Sequence, residues 1–129
     1  MTFVMRKKLI ALALILLCPT LAGAAEAFLT AIEDVPLAPS LSEQATGGMV
    51  FDSPTGRIVE AVATGTVPAD QVTAFYAQTL PQLGWSSAGK MIFKREAETL
   101  RITIEPAPQK GAVQKDAIIV RFNLAPNNH

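Results

Sequence analysis

The sequence predicts a two-layer α+β domain in which one main helix packs on an antiparallel sheet in the order β-α-β-β-β, preceded by a signal-peptide helix. Three observations carry this reading. The stretch PADQVTAFYAQTL places apolar side chains at helical spacing, whereas Thr99–Glu105 and Ala117–Leu124 alternate apolar and polar residues with a period of two. The third is size: 129 residues with 50% apolar side chains make one core and leave too little for two.

The elements follow in chain order. Arg6, Lys7 and Lys8 precede an apolar run from Leu9 to Cys18, and Pro19 and LAGAAEA follow it. A charged start, a short apolar core and an Ala-x-Ala site are the parts of a secretory signal, so residues 1–24 are expected to be cleaved before Ala25, with Phe28 as the alternative start. The run from Leu9 to Cys18 is 10 residues long, short of the roughly 20 needed to span a bilayer. Leu17 before Cys18 and Pro19 after it do not suit lipidation. Residues 25–48 read as an irregular lead with an apolar pattern at Phe28, Leu29, Ile32, Val35 and Leu37. That pattern suits either a cover for the sheet or a docking arm, and Pro39–Gly48 reads as loop.

The body is expected over residues 49–126. Met49–Phe51 is a candidate short strand, Asp52-Ser53-Pro54-Thr55-Gly56 a turn, and Arg57–Ala63 a strand ended by Gly65. In the helix, Pro68 suits the first turn and Asp70 its positive end. Val72, Phe75, Tyr76, Leu80 and Leu83 make its buried face; Pro81 stops the regular helix and Gly84 supplies a left-handed exit to Trp85, which is expected to start the next strand with its indole packed over the helix end. Strands at Lys90–Arg95, Thr99–Glu105 and Ala117–Leu124 form a half-buried meander, with Glu96-Ala97-Glu98 as a tight turn and Pro106–Asp116 as a longer connection. Residues 127–129 read as a frayed tail.

Charge and composition narrow the function. Eleven basic and 11 acidic residues, falling to eight against 11 once Arg6, Lys7 and Lys8 leave with the signal, give the mature chain a formal charge of −3. Nucleic-acid binding by bulk attraction requires the opposite excess. The only Cys lies in the signal and the only His is His129 in the tail, which leaves no disulfide, thiol nucleophile or His-based triad in the body. Ser86 or Ser87 with Lys90 lacks an SxxK at a helix start. Glu96, Glu98 and Glu105 are interleaved with Lys94, Arg95 and Arg101, which suits charge pairing better than metal binding. Asp52 and Glu60 are a formal carboxylate pair with little material for a cleft around them. No glycine-rich phosphate cradle is present. No catalytic residue, cofactor or metal is therefore expected.

The function-like surfaces are two. Asp52 and Arg57 belong to a polar turn able to grip a partner, or to a merely rigid one. Arg101 and Arg121, with Thr103 and Asn123, lie on the exposed sheet face. Open sheet edges add the general option of accepting an extended peptide.

Phe51 to Ala61, Phe75 to Trp85, and Phe93, Arg95, Glu96, Glu98, Leu100 and Ile102 together match FDSPxGRIxEA, FYxxTLPxLGW and FxRExExLxI. In these the chain resembles a group of small exported proteins of Gram-negative bacteria that have no assigned activity. The resemblance implies a periplasmic location and an envelope-associated role, and carries over no catalytic residue. The helix-to-strand junction around Tyr76 and Trp85 is more distantly similar to small envelope lipoprotein domains of helix-on-sheet type, from which the missing lipidation site departs. The expectation is a non-enzymatic, soluble periplasmic interaction module whose partner is another envelope or periplasmic protein, without nucleic acid and without stable membrane insertion once the signal is gone. The alternatives are a small-ligand carrier with a site between helix and sheet, and a small hydrolase or enzyme inhibitor.

Overall fold

Residues 27–108 and 116–127 are described by a computed structural model; the predicted signal segment, most of the Pro106–Asp116 connection and His129 lie outside them. Seven strands form one antiparallel sheet: β1 (Leu41–Glu43), β2 (Met49–Ser53), β3 (Gly56–Thr66), β4 (Ser86–Gly89), β5 (Ile92–Arg95), β6 (Glu98–Pro106) and β7 (Ala117–Pro126). Their order is β1-β3-β7-β6-β5-β4, and β2 also pairs with β3. Because β3 spans 11 residues, β1 and β2 lie end to end along its one edge, Leu41 opposite Gly65 and Phe51 opposite Ile58. The fold class is α+β, as the periodicities predict, but the expected order β-α-β-β-β is corrected: three strands precede the helix and four follow it.

The helix α1 (Ala69–Thr79) begins after Pro68 with Asp70 in its first turn. Pro81 turns the chain into a tight 3-10 segment, Leu80–Leu83, and Gly84 leaves it at φ 93°. Val72, Tyr76 and Leu80 are buried on the sheet, Phe75 is partly buried, and Leu83, expected inside, is exposed because the tighter turn rotates it away. On the sheet, Val59, Ala61 and Ala63 of β3, Leu100 and Ile102 of β6, and Ile118, Val120, Phe122 and Leu124 of β7 face the helix.

Two strands differ from the sequence reading. Leu41–Glu43, expected as loop, pairs with the far end of β3, and Ser86–Gly89 forms a strand separate from β5, with Met91 at φ 54° in the turn between them. Neither segment has strong β propensity; each is recruited by a neighbour's unsatisfied backbone. The strand containing Arg57–Ala63 likewise runs on through Gly65 to Thr66.

The lead packs on the helical side of the sheet. Leu29, Ile32, Val35 and Ala38 join the core. Tyr76 fastens them: its hydroxyl donates to the Pro36 carbonyl at 2.9 Å and accepts from the Ala38 N–H at 3.1 Å. Asn127 is tied back rather than frayed, its N–H donating to the Ala97 carbonyl at 2.7 Å.

Arg95 adds a third fastening. Its guanidinium lies 4.4 Å from the centroid of the buried Trp85 ring and reaches Asp34 of the lead at 2.6 Å. Both interactions are partly solvated, so Arg95→Ala is expected to cost about 1 kcal/mol. Arg95→Lys should recover less than half, because an ammonium cannot stack on the ring and fork to the carboxylate together. Chemical denaturation of the three chains measures this, and full recovery by Lys would leave only the charge as the cause.

Candidate functional site

The four residues singled out in the sequence do not form one site. Asp52 and Arg57 face each other across the β2–β3 hairpin, on the helical side of the sheet. Arg57 forms an ion pair with Glu98 at 3.6 Å. Arg101 and Arg121 sit on the opposite, open face, where Arg121 pairs with Glu105 at 3.4 Å. The alternation of side chains also separates Asp52 from Glu60, which lies on the open face, so these two carboxylates cannot share a substrate. Glu98 and Glu105 are divided in the same way, and among the described residues no group of three potential metal ligands converges. The space between helix and sheet is filled by Tyr76, Leu80, Val120 and Phe122, all at most 1% exposed, which weighs against a carrier site there.

The distinctive surface is the edge formed by β2. Its apolar residues Met49, Val50 and Phe51 are 45%, 58% and 54% exposed, three of the five large apolar side chains so exposed among the described residues. Natural sheets usually blunt such edges with Lys, Pro, a bulge or a covering element. The opposite edge, β4, follows that practice: it is short, carries only Ser, Ala and Gly, and its pairing is irregular between Ser87 and Gly89. Residues 49–53 contain no Lys and no Pro, and the β2–β3 register runs unbroken.

The free hydrogen-bonding groups of β2 can be assigned. Gln44 donates its N–H to the Val62 carbonyl at 2.7 Å, so Val62 directs its backbone groups toward the side of β3 that holds β1 and β2. Backbone groups alternate in direction along a strand. Glu60, Ile58 and Gly56 therefore point the same way as Val62, and bond to Met49, Phe51 and Ser53. Val50 and Asp52, the intervening residues, direct their N–H and C=O groups outward, where no described strand pairs with them.

Beside this edge, on the helical side, a surface hollow of about 650 Å³ opens between the lead and β2, bounded by Thr30, Ala31, Glu43, Gly48 and Val50. Glu43 is oriented there by the Thr30 N–H, which donates to its carboxylate at 2.8 Å. The sequence predicts a strand at Met49–Phe51 but not its exposure, and its motifs do not single out Glu43. One local signal does point here. Residues 27–56 contain Glu33, Asp34, Glu43 and Asp52 and not a single Lys, Arg or His. The sites of known proteins offer no shortcut, since no protein family, curated protein or solved structure matches the chain.

Proposed function

We propose that this protein is a non-enzymatic interaction module of the bacterial cell envelope, acting in the periplasm after removal of residues 1–24, and that it receives a partner protein along the free edge of β2. The single observation that carries the binding mode is the outer edge of β2, which no described strand pairs, with Met49, Val50 and Phe51 exposed. A strand added there would satisfy the outward groups of Val50 and Asp52 and cover apolar surface in one event. The location is supported by the charged start, the apolar run to Cys18, the Ala-x-Ala sites and the absence of Cys from the rest of the chain.

Val50→Pro tests the binding mode selectively. The Val50 N–H points away from β3, so proline removes the outward donor and leaves the β2–β3 bonds in place. The variant is expected to melt within a few degrees of the parent. Phe51→Pro, which removes an inward donor, should be destabilised by at least about 1 kcal/mol. In affinity capture from the host's envelope fraction, one reproducible protein should be retained at least tenfold better by the parent than by Val50→Pro. Charge reversal at Arg101 and Arg121 should leave it bound. A partner held equally by Val50→Pro, or lost only on the Arg101 and Arg121 reversals, moves the site to the open face. No enriched protein at all would sink the interaction reading.

A further inference from the structure

The β2 edge is not chemically neutral. Val50 shares the helical side of the sheet with two carboxylates, Asp52 on its own strand and Glu43 at the end of β1. Among the described residues neither is in an ion pair, and the cation opposite Asp52, Arg57, is engaged with Glu98. The whole of residues 27–56, from which the edge and its hollow are built, carries four acidic side chains and no basic one. The described lysines, Lys90 and Lys94, lie on the β4–β5 side, at the other end of the strand order.

Resting on the edge reading above, we infer that the occupant of this edge is an extended segment of another protein with an apolar residue flanked by Lys or Arg, and that Asp52 and Glu43 select it. The spacing follows from the register. Val50 is opposite Val59, Asp52 opposite Arg57 and Glu43 opposite Ala63. At about 3.4 Å per residue, the two carboxylates stand about 7 Å and about 14 Å from Val50 along the sheet, in opposite directions. An incoming antiparallel strand presents every second side chain to this face. Its apolar residue opposite Val50 would enter the hollow beside Ala31. A cation two residues earlier would meet Asp52, and a cation four residues later would meet Glu43.

A second copy of this chain is a poorer occupant of the same edge. Two β2 strands paired about Phe51 would set Val50 against Asp52 of the other copy and bring both Asp52 carboxylates to diagonal positions on one face. No cation would be added, and like charges so placed are unfavourable.

Two labelled peptides test the inference by fluorescence anisotropy with the full-length chain. One has Lys, Val and Lys at the spacing derived above, with Thr at the intervening positions; the other replaces both Lys by Glu. The Lys peptide is expected to bind at least tenfold more tightly, and more weakly as salt is raised. Asp52→Asn combined with Glu43→Gln should reduce the ratio below threefold while leaving the fold intact, because the amide oxygen introduced by Glu43→Gln still accepts from the Thr30 N–H. Val50→Pro should abolish binding of both peptides. Equal binding of both peptides, lost in Val50→Pro, would overturn the charge selection and leave the edge reading standing. Equal binding that survives Val50→Pro would overturn both. If neither peptide binds and the chain instead self-associates in a manner lost in Val50→Pro, the occupant is a second copy and the inference is wrong.

Discussion

Tyr76→Ala is expected to be the most damaging single substitution in the described chain, costing about 4–6 kcal/mol in urea denaturation. Truncating a large buried aromatic costs about 3–5 kcal/mol, and the polar groups left without a partner add to it. Tyr76 is 0% exposed and meets Phe75 and Phe122 edge-on, with ring centroids 5.0 and 5.6 Å apart. Among the described residues its hydroxyl is also the only partner of the Pro36 carbonyl and the Ala38 N–H. A small domain has about 5–15 kcal/mol of stability in all, so this loss should leave the chain largely unfolded at 37 °C. Tyr76→Phe isolates the hydroxyl. It keeps the packing, strands the two backbone groups, and should cost about 1–3 kcal/mol, with faster hydrogen exchange at Ala38. A cost of only a few tenths would mean that the lead is held by its apolar contacts alone.

The same hydroxyl gives a pH signature. Burial pushes the Tyr76 ionisation well above its ordinary value, and the Ala38 N–H offsets only part of that. The unfolded chain loses this proton near pH 10 and the folded chain does so later. Stability is therefore intact below about pH 10 and declines above it, by about 1.4 kcal/mol per pH unit for one proton. Tyr76 is the only tyrosine, so phenolate absorbance reports this site alone. It should develop together with unfolding rather than before it. In Tyr76→Phe the tyrosine-linked part of the decline disappears; an unchanged decline would show that Tyr76 is not its source.

What can be read in the sequence follows from which physical signals are local. The helix is legible because Pro68, the spacing of Val72, Tyr76 and Leu80, and Gly84 all agree. The strands β6 and β7 are legible because one face of each is buried and the other is wet. β1 and β4 are not, since Leu-Ser-Glu and Ser-Ser-Ala-Gly become strands only when β3 and β5 offer them backbone partners. The candidate site is half visible. Met-Val-Phe reads as a strand, but a continuous apolar run normally means burial on both faces, and here all three residues are exposed. Exposure depends on what lies beyond the edge, which no local pattern encodes. The Asp52–Arg57 turn does lie beside the edge, whereas Arg101 and Arg121 lie on the other, open face.

Gly65 is the clearest case of a local signal with a tertiary cause, and its substitution is the second large effect expected. Glycine inside a strand suggests its end, yet β3 passes through Gly65 to Thr66. The reason is the approach of β1. A Cβ on Gly65 would lie 2.2 Å from the Ser40 carbonyl oxygen and 3.0 Å from a Leu41 methyl. The first of these is backbone and cannot swing aside. Gly65→Ala should therefore lift β1 off β3 and cost about 3 kcal/mol, at the upper end of ordinary overpacking. Gly89→Ala is the control, since its Cβ would meet only Ile92 at 3.4 Å or more and is expected to change stability by less than about 0.5 kcal/mol. Equal melting temperatures for the two variants would contradict the close β1–β3 contact. The displacement should also reach the edge, because Glu43 ends β1 and borders the hollow beside Val50; Gly65→Ala is expected to weaken the Lys peptide at temperatures where the chain is still folded. Tyr76 and Gly65 secure the same lead at two neighbouring points, Pro36 to Ala38 and Ser40 to Leu41. Once either is lost, part of the lead is already free, so the double variant Tyr76→Phe/Gly65→Ala should cost less than the sum of the two single changes. Strict additivity would instead show that the lead is held by two independent attachments.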